Sequence, residues 1–211
     1  MPKRVDHTER RTEIAEALLR VAARRGLHAV GMRDVAAEAG VSLRLVQYYF
    51  ETKEKLLLYG LQHLAERFGE RVAARVRGAG HRPGPRAMIE AILTAALPTD
   101  EESRTFHLVF TSYAVLSVTD KVLATQPFIT NPDAAESTLV ALLRQAEEGG
   151  LIQPGVDAHL EAVSLLAMSA GLGTSILVGQ RTPESATRVL DHHLDRIFRD
   201  DPVDTGTRTQ E

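Results

Sequence analysis

The sequence predicts an all-α protein of about nine helices, an N-terminal three-helix head with a helix-turn-helix followed by a larger helical bundle. Three observations predict it. Apolar residues recur at steps of three and four over long stretches, helix-starting and helix-ending residues flank those stretches, and no segment alternates apolar and polar residues long enough for a strand.

The elements follow in order. Asp6 with Glu9 forms a capping box ahead of Ile14, Ala15, Leu18, Leu19 and Ala22, a helical face that ends at Gly26. Met32–Ala39 is a short second helix stopped by Gly40, and Ser42 caps a third that runs to about Tyr48. Thr52 caps a fourth reaching roughly Val76. The Gly/Pro-rich stretch Arg77–Pro85 then divides a head, residues 1–55 with helix four (about 52–76) as connector, from a body of residues 77–200. In the body Pro85 sits in the first turn of a helix ending at Pro98, and Thr99 with Glu102 makes a capping box for a helix through about Val118. Asn131-Pro132 starts the next, closed by Gly149-Gly150; Asp157 caps another; Thr182-Pro183-Glu184 opens the last, to about Arg199. Residues 201–211 are expected to be a disordered tail.

Composition bounds the function. A chain of 211 residues that is 44% apolar can bury a real core, and the absence of cysteine excludes disulfides and thiolate metal sites. The N-terminus has neither the apolar stretch nor the cleavage site of a signal peptide, so the expected compartment is the cytoplasm. Ala162–Val178 carries no charge but holds three serines, a threonine and two glycines, and is read as a buried interface helix rather than a membrane span. Net charge is −3, yet residues 1–55 hold 11 Lys+Arg against 8 Asp+Glu and residues 56–211 hold 14 against 20. Only the head has the sign that suits phosphate.

Residues 32–50, MRDVAAEAGVSLRLVQYYF, read as two short amphipathic helices joined by a glycine turn. Val35 and Ala36 face inward, Gly40 permits a positive φ, and Val41 and Val46 pin the second helix. Leu43, Arg44, Gln47 and Tyr48 are left looking outward. Arginine suits guanine, glutamine suits adenine, and a tyrosine hydroxyl reaches phosphate, so double-stranded DNA is the expected partner. A helical hairpin with a solvated face is the plainer reading of the same turn.

From Arg10 to Leu58 the chain resembles the TetR family of bacterial regulators. The matching pieces are Gly26, Arg33-Asp34-Val35-Ala36, Ala39-Gly40-Val41-Ser42, Tyr49-Phe50 and Lys53-Glu54-Lys55-Leu56-Leu57. The resemblance implies that Arg33, Ser42, Tyr49 and Lys53 join the DNA surface, Tyr49 and Lys53 on phosphates, that Phe50 packs inside, and that helix four links head to sensor. It also implies a homodimer that binds a palindromic operator, usually as a repressor, and is released by an unknown small-molecule effector. Two departures stand out. Gly31 replaces the threonine that often caps helix two and touches phosphate, and Arg44 and Gln47 replace the family's common small and aromatic pair, so the operator is this chain's own.

In the body, Phe106, Phe110 and Tyr113 lie at steps of four and three beside His107, a face that fits either a ligand pocket or ordinary core; Met88 and Met168 are added to the candidate pocket. Ala167, Gly171, Thr174 and Val178 make a small-residue stripe, expected to pair with Leu190 and Leu194 and their copies in a dimeric four-helix bundle. No cofactor, metal site or catalytic group is expected: adjacent His192 and His193 point apart and are assigned to a solvated face, and Asp100-Glu101-Glu102 reads as first-turn carboxylates. The competing classes are a non-sensing architectural DNA binder and, last, an all-helical enzyme.

Overall fold

The computed structural model describes residues 7–78, 83–119 and 133–199. Among them are nine α-helices and one 3-10 turn, with no strand. The head holds α1 (His7–Arg25), the 3-10 turn Leu27–Ala29, α2 (Met32–Glu38) and α3 (Leu43–Phe50). The connector is α4 (Lys53–Gly78), and the body holds α5 (Pro85–Ala95), α6 (Glu101–Ser117), α7 (Asp133–Glu148), α8 (Ala158–Leu177) and α9 (Pro183–Ile197). Asp6, Asn131-Pro132 and the tail from 201 lie outside the described residues.

Most caps sit where the sequence places them. Leu45 N–H donates to the Ser42 hydroxyl, Lys55 N–H to Thr52, His159 and Leu160 N–H to Asp157, and Ser185 N–H to Thr182. One cap shifts. The box that opens α6 is Asp100 with Ser103, not Thr99 with Glu102: Ser103 N–H donates to Asp100 Oδ1 at 2.8 Å and Asp100 N–H donates back to Ser103 Oγ at 3.1 Å. Partial burial opposes ionisation of Asp100, but the Arg71 guanidinium and the Ser103 N–H and hydroxyl outweigh it and hold this carboxyl at about 2, below the usual 3.8. Glu102 is thereby freed to face α4.

Two cores form. The first joins α1, α2, α3 and the start of α4, with Ile14, Leu18, Val35, Val46, Phe50 and Leu61 buried, and takes in Val109 and Tyr113 from α6. The second joins α5, α7, α8 and α9 through Leu93, Leu139, Leu143, Leu165, Leu190 and Leu194. In the first core Gly60 lets α4 close on α1: a Cβ there would lie 2.4 Å from Leu18 Cδ2. An antiparallel bridge, Ile152 with Phe198, ties the loop after α7 to the end of α9, with Gln153 N–H on Ile197 O and Arg199 N–H on Leu151 O, both at 2.8 Å.

Candidate nucleic-acid interface and inter-helix cleft

Helix α3 is held from behind. Gly40 turns the chain at φ +64°, a left-handed conformation that a side chain would resist, and α3 then buries Val46 and Phe50 against α1 and α4. Arg44, Gln47 and Tyr48 consequently face solvent, Tyr48 with 68% of its surface exposed. Arg33 on α2 and Ser42 at the α3 cap are exposed on the same head, and the Ser42 hydroxyl accepts from Leu45 N–H. Leu43 departs from the outward reading: it is half-buried and packs against the first core, because the first turn of α3 leans on α2. Tyr49 is half-buried, edge-on to Tyr48 at 5.2 Å and to His7 at 5.7 Å, and Lys53 is half-buried at the first residue of α4.

Ion pairs brace this head. Arg20 and Arg24 of α1 both grip Glu38 at the end of α2, holding its carboxyl below the usual range, Arg24 contributing most. Arg25 pairs with Asp34 at 2.8 Å, and Asp34 also accepts from Gly31 N–H, so the glycine cap keeps half of a capping box. Sequence reasoning missed Arg11, whose guanidinium lies 4.4 Å from the Tyr59 ring centre and 5.3 Å from that of Phe50, joining α1, α3 and α4. Nothing local marks Arg11, since its partners lie almost 40 and 50 positions away.

The six residues expected to line one pocket do not converge. Tyr113 is fully buried in the first core, Met88 and Met168 pack on the second, and His107 is buried beneath α8. Phe106 turns instead toward α4, stacking on Phe68 with ring centres 4.4 Å apart and planes 13° apart, and Phe110 stacks behind it at 5.9 Å. Phe106 and Phe68 line a cleft of about 290 Å³ between α1, α4 and α6, which also includes Glu16, Leu19, Arg20, Leu64, Arg67, Arg71, Glu101 and Glu102. Its charged groups form a chain: Arg67 reaches Glu102 at 2.7 Å and Glu16 at 3.7 Å, while Arg71 holds Asp100 at 2.5 Å and the Ala95 carbonyl at 3.2 Å. The cleft thus touches head, connector and body together.

His107 is a packing residue rather than a wall of the cleft. Its ring bonds Thr174 Oγ1 at 3.3 Å and the backbone of Ala96, and it fills the space above Gly173, where a Cβ would stand 2.2 Å from the imidazole. Burial lowers its proton affinity below the ordinary 6.5, against the opposing Ala96 bond. The unfolded chain therefore takes up this proton first as pH falls, so stability present above pH 6.5 is lost on acidification below it. We expect His107→Asn to flatten the slope of stability against pH just below 6.5, measured by denaturant unfolding across that range; an unchanged slope would remove this assignment.

Helix α8 is long and apolar enough to cross a membrane by length and composition, but one side of it packs into the second core through Ala162, Leu165 and Leu172. Its other side is bare: Ala167, Gly171, Thr174 and Val178 are exposed, in line with exposed Leu160 and Val163. Leu190 and Leu194, assigned to the same interface, are fully buried in the second core and cannot reach a partner; their face of α9 is occupied by α8 and α5. His193 also departs from its solvated assignment, bonding Glu161 of α8 at 3.0 Å, while His192 is exposed. Among the described residues no cluster of His, Cys, Asp or Glu suits a metal.

Comparison with known proteins agrees with both halves. Residues 14–59 match the family of bacterial regulatory proteins of the tetR type, and residues 85–199 match the C-terminal domain of BetI-type transcriptional repressors. Over its whole length the chain is similar to the HTH-type transcriptional regulator PksA of Bacillus subtilis, 28% identical across 99% of both chains. It is 37% identical over 93 residues to the regulator BetI of Brucella anthropi, covering 44% of this chain and 46% of that one. Among solved structures, a transcriptional regulator from Rhodococcus sp. Rha1 superposes with a TM-score of 0.74 at 28% identity, covering 87% of this chain and 93% of that one. One from Saccharomonospora viridis, solved in complex with choline, reaches 0.80 at 24% identity, covering 92% and 100%, and shows the shared fold. The helix-turn-helix head, the helical body and these matches together place the chain in the TetR family of transcriptional regulators.

Proposed function

We propose that the chain is a cytoplasmic repressor that binds a palindromic operator as a homodimer and is released by a small molecule. The observation that carries this is the exposed row Arg44, Gln47 and Tyr48 on a short helix whose opposite side is locked into the head core. The row supplies donors for base edges and a hydroxyl for phosphate, and Arg33, Ser42, Tyr49 and Lys53 lie around it as anchors. The bare face of α8 supplies the second half of the reading, since two heads are needed to span two half-sites about 34–36 Å apart. Helix α4, 26 residues long, is the lever between them, fixed to α1 at Gly60 and to α6 through Arg67 and Arg71.

An effector that prefers one position of α4 shifts the operator-competent population only by its differential affinity, and a change from 99% to 1% needs about 5.5 kcal/mol. Footprinting on DNA flanking the gene tests the reading: one protected palindrome is expected, and uniform coating of all sequences would point to an architectural binder instead. Base and anchor contacts separate by mutation. Arg44→Ala and Gln47→Ala should each cost about 1–3 kcal/mol on the operator and relax preference at particular base pairs. Lys53→Ala should weaken all DNA alike and lower the salt slope by about one. Unchanged affinity and selectivity in Arg44→Ala would move the reading face elsewhere.

A further inference from the structure

We propose that the cleft between α1, α4 and α6 binds a protonated primary amine carried on an aromatic body. This rests on the effector reading above and gives it a place and a chemistry. Three guanidiniums line the cleft: Arg20 shares Glu38, which lies outside it, with Arg24, and Arg71 holds Asp100 and reaches Glu102 at 3.9 Å. Arg67 lies between Glu102 and Glu16, so with Glu101 these paired groups set four guanidiniums, Arg20, Arg24, Arg67 and Arg71, against five carboxylates, Glu16, Glu38, Asp100, Glu101 and Glu102, an excess of one negative charge. Nor are those carboxylates saturated. Glu101 is exposed and its carboxylate has no partner among the described residues. The Glu16 oxygen lies 3.7 Å from Arg67 and 3.8 Å from His63 Nε2, and that buried nitrogen has no hydrogen-bond partner among the described residues. An anion would meet like charge here; a cation completes the set.

The shape narrows the cation. Leu19, Leu64 and the Phe106–Phe68 stack provide an apolar wall for a ring, and 290 Å³ accommodates one ring with a short chain. A quaternary ammonium is recognised by aromatic faces on several sides, whereas here two rings are spent on each other and the polar lining is carboxylate. A primary ammonium has three donors for those oxygens. Its occupation has a direct consequence, because Glu16 belongs to the head and Glu102 to the body, and both are taken from Arg67 of the lever when the amine binds. The head is then less firmly tied to α4 and α6.

The test is calorimetric titration of the full-length protein at pH 7 with phenethylamine, alongside phenylacetate, 2-phenylethanol and phenethyltrimethylammonium. Saturable binding of the amine is expected, with each comparison compound at least about tenfold weaker. Glu16→Gln and Glu101→Gln should each weaken the amine by about tenfold, and Phe106→Leu should weaken it as well. Glu101 is exposed and outside both cores, so its variant should melt like the parent without ligand, which keeps the result independent of folding. Absence of amine binding, equal binding of phenylacetate or of the quaternary compound, or indifference to both glutamate variants overturns the site. Operator affinity separates the two proposals. Amine binding with those dependences but no change in operator affinity supports the site and removes the effector reading; release by another compound, with no amine binding, does the reverse.

Discussion

Gly173→Ala is expected to destabilise the body far more than a one-methyl change ordinarily does. The added Cβ would lie 2.2 Å from one carbon of the His107 ring and 2.6 Å from Nδ1, distances that require something to move. The ring cannot simply swing aside, being 5% exposed and held by Thr174 on one side and Ala96 on the other. Overpacking costs about 1–3 kcal/mol, and tearing a buried imidazole from its partners adds about 1–3 more. Against a total stability of about 5–15 kcal/mol this is a large share. Denaturant midpoints should show it, and a double-mutant cycle identifies the cause: His107→Ala makes the room that Gly173→Ala needs, so the pair should couple by at least about 1 kcal/mol. Strict additivity would mean that the ring and the glycine do not constrain each other.

What was legible in the sequence was what short range decides. Ser42, Thr52, Asp157 and Thr182 cap helices because a side-chain oxygen two or three residues from an unpaired N–H needs nothing else, and Gly40 ends α2 through its own φ. The exposed face of α3 was legible for the same reason: in eight residues the burial of Val46 and Phe50 leaves Arg44, Gln47 and Tyr48 nowhere else to go. Thr99-x-x-Glu102 and Asp100-x-x-Ser103 are equally good local boxes, and the second is favoured by Arg71, a guanidinium 29 positions away. Long range also scattered the expected pocket. Phe106, His107 and Tyr113 sit on one helix, but α6 has neighbours on several sides, so each side chain meets a different one: α4, α8 and the head core. Leu190 and Leu194 failed in a related way, since helical spacing of leucines marks a buried face without saying whose residues bury it.

Gly171→Leu is expected to separate dimerisation from folding, and it does so because Gly171 and Gly173 look in opposite directions from the same helix. Two residues apart on an α-helix is about 200°. Gly173 faces His107, whereas a Cβ on Gly171 would meet nothing within 4 Å inside the chain. Leucine at 171 should therefore leave the unfolding midpoint of the single chain almost unchanged. In the proposed dimer the same position lies mid-way along the bare strip from Leu160 to Val178, which are 64% and 62% exposed, and small residues there set how closely two copies of α8 approach. Overpacking by about 1–3 kcal/mol raises the dimer dissociation constant about 5- to 150-fold. Sedimentation at concentrations near the parental dissociation constant should then show monomer. Operator affinity should fall with it, because one head touches one half-site and loses the second set of base contacts. Non-specific binding should persist, being carried by the phosphate contacts of each head. A variant that remains dimeric with parental operator affinity would take the interface off this face of α8; one that unfolds would show that Gly171 is packed within the chain after all.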